Sequence, residues 1–128
     1  SRVSRGLGDV YKRQVKLMLA EASLKVGDQA TALDNINEIR VRAYGNSNHN
    51  FSTVTLDDVL NERSKELYWE CTRRTDLIRF NKFTGSDLVW SFKGGTTDGT
   101  AVDEFRSLYP LPTYDIVNNP NLSQNNGY

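Results

Sequence analysis

The sequence predicts a mainly α fold, in which a helical hairpin and a further long helix are covered by irregular loops and an extended, proline-containing C-terminal tail. Apolar residues recur at steps of three and four from Val15 to Tyr44, and again from Leu56 onward. A Gly-Asp pair at 27–28 separates two helical segments within the first of these stretches. Prolines at 110, 112 and 120 exclude a helix interior near the end of the chain.

Composition narrows the class of protein. The 128 residues are 38% hydrophobic and 25% charged, which fits one small globular domain. Sixteen basic residues balance sixteen acidic ones, so no net charge favours a nucleic acid or an anionic membrane surface. One cysteine and one histidine cannot form a Cys-rich or His-rich metal site. We therefore expect no metal, no other cofactor and no nucleic-acid partner.

Residues 1–14 are predicted to be a basic tail outside the core. They contain two glycines, several basic residues against a single Asp9, and no sustained apolar period. A sequence foreign to the protein is the alternative interpretation of this segment. We place the start of the domain at residue 15 and its end at residue 128.

The first two helices form the predicted hairpin. Leu17, Ala20 and Leu24, with the neighbouring Met18 and Ala22, make an apolar stripe that ends at Gly27. Asp28 can cap a second helix that ends near Tyr44 and Gly45. This helix carries, at steps of three and four, the residues Ala30, Leu33, Ile36, Asn37 and Arg40. The small alanines and the tight turn are similar to a tetratricopeptide-type hairpin. Because one such hairpin cannot bury both of its faces, further helices are expected upstream.

The next helix is predicted to start at Leu56, capped by Thr55, and to continue through the following charged stretch. Periodicity places Arg63, Glu70 and Arg74 on the same side as its apolar stripe. A buried charge is costly unless it is paired and hydrogen-bonded. We therefore predict that these three residues act as a structural clamp, which bonds the backbone of the proline-containing tail.

The long stretch after Phe80 is rich in Gly, Thr, Ser and Asp and is predicted to be an irregular loop. Trp90 and Phe92 offer aromatic rings, while Asp87 and Lys93 offer hydrogen-bonding groups. Sugar-binding sites combine these two kinds of group. These four residues are the candidate ligand contacts, and the alternative is that Trp90 and Phe92 only pack the loop onto the helices.

Two motifs resemble those of the SusD/RagB family. The run from Glu62 to Phe80, E-R-S-K-E-L-Y-W-E-C-T-R-R-T-D-L-I-R-F, is similar to its pattern E-R-x-x-E-L-x-x-E-G-x-R-x-x-D-L-x-R, with Cys71 at the position of the usual Gly. The end of the chain, Y-P-L-P-T-Y-D-I-V-N-N-P-N-L-S-Q-N-N-G-Y, resembles Y-P-I-P-x-x-E-I-x-x-N-P-x-L-x-Q-N-P-G-Y. Together with the hairpin, the resemblance extends from residue 15 to residue 128 apart from loops.

The resemblance implies a binding function and no catalysis. The family comprises surface-exposed outer-membrane lipoproteins that bind glycans or other nutrients and pass them to a SusC-like TonB-dependent transporter. It implies that this chain is the C-terminal part of a longer protein, whose only attachment to the membrane is a lipid anchor outside this sequence.

Parts of the sequence are compatible with two other functions. A glycoside hydrolase would use paired carboxylates such as Glu62, Glu66, Glu70 and Asp76. Neighbouring arginines would stabilise the ionised form of these groups, which is the wrong form for a general acid. A helical-repeat scaffold for protein–protein interaction, without a small ligand, is favoured by the hairpin but not by the tail motif.

Overall fold

The computed structural model describes the backbone of residues 2–128 and the side chains of residues 11–128. Within this part the fold is mainly helical and without β-strands, as predicted. The helices are α1 (Arg2–Lys25), α2 (Gln29–Tyr44), α3 (Leu56–Glu66), α4 (Arg73–Arg79) and α5 (Thr113–Asn118), with 3-10 turns at Lys93–Gly95 and Glu104–Ser107. The chain divides into two compact units, residues 1–73 and residues 74–128.

Helix α1 starts earlier than predicted, at Arg2 instead of Val15. Arg13 contributes to packing here, because its Nη1 donates to a carboxylate oxygen of Glu66 at 2.9 Å and to the carbonyl oxygen of Glu66 at 3.1 Å. This partner is 53 residues away in the chain, so local sequence patterns could not reveal it. The side chains of residues 1–10 lie outside the described part, and the domain boundary at Val15 stays a prediction.

The turn between α1 and α2 has the predicted chemistry. Gly27 adopts a left-handed backbone with φ of +85°, which only glycine adopts without strain. Asp28 caps α2, since its Oδ1 accepts a hydrogen bond from the Thr31 N–H at 3.0 Å. Hydrogen bonds from Thr31 hold the pKa of Asp28 below its ordinary value of 3.8. This cap is therefore fully formed above pH 3.8 and is lost as the pH falls through the lowered pKa.

The core of the first unit lies where α1 packs against α2 and α3. Its buried members are Leu17, Ala20, Ala32, Ile36, Ile39, Val54, Val59 and Leu67. Met18 and Ala22, which the predicted stripe of α1 included, are exposed instead. The loop after α2 is fixed onto that helix by Asn37, whose side-chain amide both donates to the carbonyl oxygen of Phe51 and accepts from its N–H.

The central stretch is two helices rather than one. Helix α3 starts at Leu56 with the predicted Thr55 cap, but it ends at Glu66, and α4 starts at Arg73. Trp69 and Cys71 in the intervening turn have φ angles of +67° and +58°. This turn leaves Glu70 exposed, so its predicted place on the buried side of the helix is wrong, and Cys71 is exposed as well. A single 3.6-residue period cannot be extended across a left-handed turn, because the turn resets the facing of every later residue.

Cys71 occupies the position where the resembling motif carries glycine, and its positive φ gives that glycine a physical reason. A residue with a Cβ is strained by about 1–2 kcal/mol in the left-handed region. Glycine avoids this strain, but its greater freedom in the unfolded chain cancels part of the gain in stability. We expect Cys71→Gly to raise the free energy of unfolding by roughly 0.5–1 kcal/mol in urea denaturation. Cys71→Ala keeps the Cβ and serves as the control, and an equal gain from it would contradict the explanation.

The second unit ends in a folded-back tail, residues 108–128. The Gln124 side chain donates to the Leu111 carbonyl oxygen at 3.0 Å and accepts from the Leu111 N–H at 2.8 Å. Tyr128 donates its hydroxyl to the Leu108 carbonyl oxygen at 2.8 Å, and its ring meets that of Phe105 edge to face at 4.9 Å. Prolines do break helical structure here, although the short helix α5 begins directly after Pro112.

Candidate functional site

The candidate site lies in the excursion loop, residues 81–103 of the second unit. An isolated antiparallel bridge joins the two arms of the loop, with the Gly85 N–H donating to the Val102 carbonyl oxygen at 2.9 Å. The Thr100 N–H donates to the Lys93 carbonyl oxygen at the same distance. Although the sequence gives this loop no periodic pattern, hydrogen bonds between distant residues fix its backbone.

Lys93, a predicted ligand contact, is directed into the loop and is only 3% exposed. Its ammonium group donates to the carbonyl oxygens of Gly85 and Leu88, and it lies 4.9 Å from the centroid of the Trp90 ring. A buried ammonium is tolerated only when such acceptors replace water. The buried ammonium group of Lys93 therefore contacts both the bridge residue Gly85 and the aromatic ring of Trp90.

The other three predicted contacts lie at the surface. Trp90 is 41% exposed and Phe92 is 71% exposed. Asp87 is exposed as well. Phe92 has a φ of +67°, an unusual conformation for a bulky residue. Local backbone strain of this kind is found preferentially at functional sites.

A cavity of about 420 Å³ opens beside Asp87 in the same loop. Gly85, Ala101 and Val102 line it with backbone and small apolar groups. Thr84, Asp87, Asp103 and Glu104 add one hydroxyl and three carboxyl groups to its lining. The sequence analysis singled out Asp87 alone, because Asp103 and Glu104 join it only when the Gly85–Val102 bridge brings the two arms together.

The first unit contains ion pairs that the sequence analysis did not predict. Arg40 Nη1 contacts Glu62 Oε1 at 2.6 Å, with the two side chains 10% and 5% exposed. Arg40 also donates from Nε to the His49 carbonyl oxygen at 2.6 Å, and its guanidinium lies over the Phe51 ring at 4.0 Å. In the sequence, Arg40 is marked only by its place at steps of three and four with the apolar residues of α2. In the structure, Arg40 pairs with Glu62 and so joins α2 to α3.

Glu66 forms ion pairs with two arginines. Its carboxylate accepts from Arg13 at 2.9 Å and from Arg42 at 2.7 Å, so it links α1, α2 and α3. Arg73 Nη1 donates to the Leu60 carbonyl oxygen at 3.1 Å. Thus, the charged residues Glu62, Glu66 and Arg73 of the motif hold backbone and helices together, and the carboxylates of Glu62 and Glu66 each bond to arginine.

The three predicted clamp residues have different surroundings. Arg63 is buried in α3, with 5% of its surface exposed, whereas Glu70 is exposed. Within the second unit, Arg74 Nη2 donates to the carbonyl oxygens of Arg106 and Ser107 at 2.8 and 3.3 Å. Its guanidinium also lies over the ring of Tyr109 at 4.0 Å. Clamping of the tail by Arg63 and Glu70 stays a prediction.

We expect Arg74→Ala to loosen the chain where the tail begins. Two hydrogen bonds from a charged donor and one cation–π contact are worth about 2 kcal/mol together, equivalent to roughly a 30-fold change in local opening. Hydrogen exchange of a peptide covering residues 105–112 measures this change. Arg74→Lys keeps the charge but loses the planar fork, so it should recover only part of the protection. Unchanged exchange in Arg74→Ala would show that this contact does not hold the segment.

Among the residues whose side chains are described, no group of three His, Cys, Asp or Glu residues could hold a metal ion. In that same part of the chain, no helix combines the length and the apolar character required to cross a membrane.

The fold and the site define a mainly helical protein with a tetratricopeptide-like hairpin, buried arginine–carboxylate pairs and a structured aromatic loop. Residues 7–128 match the family model described as the SusD family. The chain is 44% identical over 112 residues to the starch-binding protein SusD of Bacteroides thetaiotaomicron, a match covering 88% of this chain and 20% of that protein. It is 31% identical over 140 residues to the SusD-like protein P25 of Formosa agariphila, covering 100% of this chain and 25% of that protein. The chain belongs to the SusD family.

Both relatives are much longer than this chain, which spans about a fifth of one and a quarter of the other.

Proposed function

We propose that this protein binds glycans at the cell surface and does not catalyse their cleavage. One relative carries the name starch-binding protein, which supports a polysaccharide ligand. The observation that carries the proposal for this chain is the exposed aromatic pair Trp90 and Phe92 on a loop fixed by the buried Lys93. Exposed aromatic rings can stack on the apolar faces of sugar rings, and a fixed loop loses little entropy on binding.

The carboxylates of the first unit support binding over catalysis. Glu62 and Glu66, the residues that a glycoside hydrolase mechanism would use, are each bonded to arginine. The Glu62 and Glu66 side chains are only 5% and 9% exposed, so neither carboxylate is presented to a substrate. Their place between helices gives them a structural role instead.

Affinity electrophoresis in gels containing a panel of polysaccharides tests the proposal. We expect at least one polysaccharide to retard the protein, and the double variant Trp90→Ala/Phe92→Ala to lose most of that retardation. Tyr114→Ala is the matched control, because Tyr114 is 78% exposed in the same unit but lies on α5, away from the loop. Equal retardation of the double variant and the wild type would place glycan binding outside this loop.

We further infer that the whole protein is held at the outer membrane by a lipid anchor and delivers its ligand to a SusC-like TonB-dependent transporter. Family membership supports this step. Co-purification of the transporter with tagged protein from native outer membranes tests the partnership. Recovery of the tagged protein without any transporter would contradict it.

A further inference from the structure

We propose that the cavity of the excursion loop takes a neutral glycan segment and discriminates against glycans carrying sulfate or carboxylate groups. This inference rests on the proposed glycan-binding function and adds the chemical class of the ligand. It starts from the cavity itself, whose volume of about 420 Å³ falls in the range of small-molecule sites.

The lining of the cavity suits an amphipathic, hydroxyl-rich ligand. Ala101 and Val102 provide an apolar surface against which the C–H face of a sugar ring can rest. The Thr84 hydroxyl and the carboxylates of Asp87, Asp103 and Glu104 can accept hydrogen bonds from sugar hydroxyl groups. Hydrogen bonds to ionised acceptors are about twice as strong as those between neutral groups.

The charge balance around the cavity disfavours an anionic ligand. Residues 84–104 contain four acidic side chains and one basic side chain, a net charge of −3. The one basic side chain, Lys93, is buried and bonded to the carbonyl oxygens of Gly85 and Leu88, so it offers no partner to a ligand. Arg106 lines the adjoining cavity together with Asp103, and it can offset one of the three carboxylates.

The cavity is also held open by bonds that do not involve its acidic groups. The Gly85–Val102 bridge joins its two sides, and the Lys93 ammonium group donates a hydrogen bond to the Gly85 carbonyl oxygen. The acidic side chains can therefore be neutralised by isosteric amide substitutions without removing the bonds that shape the cavity. This separation makes the charge effect testable by itself.

The test uses affinity electrophoresis with each neutral polysaccharide beside its own carboxymethylated derivative. At low salt, three carboxylates about 8–10 Å from a ligand charge should weaken binding of the anionic form roughly tenfold, and the difference should shrink in 0.5 M salt. The variant Asp87→Asn/Asp103→Asn/Glu104→Gln should lose this discrimination, so that the two polymers are retarded equally. It should bind the neutral polymer more weakly than the wild type does, because uncharged amide oxygens are weaker acceptors than carboxylates. Asp34→Asn, an exposed acid on α2, is the control and should discriminate as the wild type does.

The possible failures are distinguishable. Equal or stronger binding of the carboxymethylated polymer by the wild type would overturn the inference, while glycan binding itself would stand. Discrimination that persists unchanged in the triple variant would place its cause elsewhere and would also overturn the inference. If no polymer retards the wild type, the proposed function fails together with this inference.

Discussion

Replacement of Glu62 by glutamine should lower the free energy of unfolding by about 3 kcal/mol, since it leaves a buried guanidinium without a charged partner. The Arg40–Glu62 pair joins α2 to α3 at 2.6 Å, and both side chains are at least nine-tenths buried. Glutamine keeps the shape of the side chain and removes only its charge. The expected loss corresponds to a fall of about 10 °C in the melting temperature.

Lys65→Met provides the matched control for this prediction. Lys65 contacts the same Glu62 oxygen at 2.8 Å, but its side chain is 58% exposed. An exposed ion pair contributes only about 0.2–1 kcal/mol to the free energy of unfolding, because water screens it. Urea denaturation followed by circular dichroism compares the two variants. A loss in Lys65→Met as large as that in Glu62→Gln would show that burial does not decide the strength of this pair.

Replacement of Gly99 by alanine should open the excursion loop. A Cβ at Gly99 would lie 2.1 Å from the carbonyl oxygen of Trp90 and 2.7 Å from Val89 Cγ1, and the residue has a φ of +76°. The backbone strain and the overlap with a backbone atom together cost about 3 kcal/mol. Because Thr100 N–H donates to the Lys93 carbonyl oxygen, hydrogen exchange at Thr100 should accelerate roughly 100-fold.

The variant Gly95→Ala separates the effect of backbone strain from the effect of steric overlap. Gly95 also has a positive φ, of +85°, but a Cβ there meets nothing within 4 Å. We expect about 1–2 kcal/mol of strain and roughly tenfold faster exchange at Thr100. If Gly99→Ala and Gly95→Ala accelerate exchange equally, the close approach to Trp90 contributes nothing. Under the proposed function, Gly99→Ala should also reduce polysaccharide binding, since it displaces the backbone that carries Trp90.

Much of the helical structure could be predicted because its signals are local. Gly27, Asp28, Gly45 and Thr55 act through hydrogen bonds and φ angles within a few residues of themselves, and each lies where the sequence predicts a helix end. The break after Glu66 was missed because glycine, the usual marker of a left-handed turn, is replaced by Cys71. Without that marker, the apolar period alone favours a continuous helix.

The loop that carries the candidate site could be recognised from its residue types, but the arrangement of its side chains could not. The aromatic and polar composition of the loop indicated Trp90, Phe92, Asp87 and Lys93, and three of these lie at the surface. The inward direction of Lys93 depends on the carbonyl groups of Gly85 and Leu88, which bear no mark in a sequence. Likewise, Asp103 and Glu104 line the cavity beside Asp87 because of a backbone bridge.

The sequence by itself determined the helical class, the helix caps and the family, because periodicity, capping residues and motif spacing are properties of neighbouring residues. Only the tertiary structure decided which charged residues are paired. Arg40 meets Glu62, and Glu66 meets both Arg13 and Arg42, through contacts that join residues 22 to 53 positions apart. The packing of the helices brings these partners together, and no local pattern records which distant residue will be the partner.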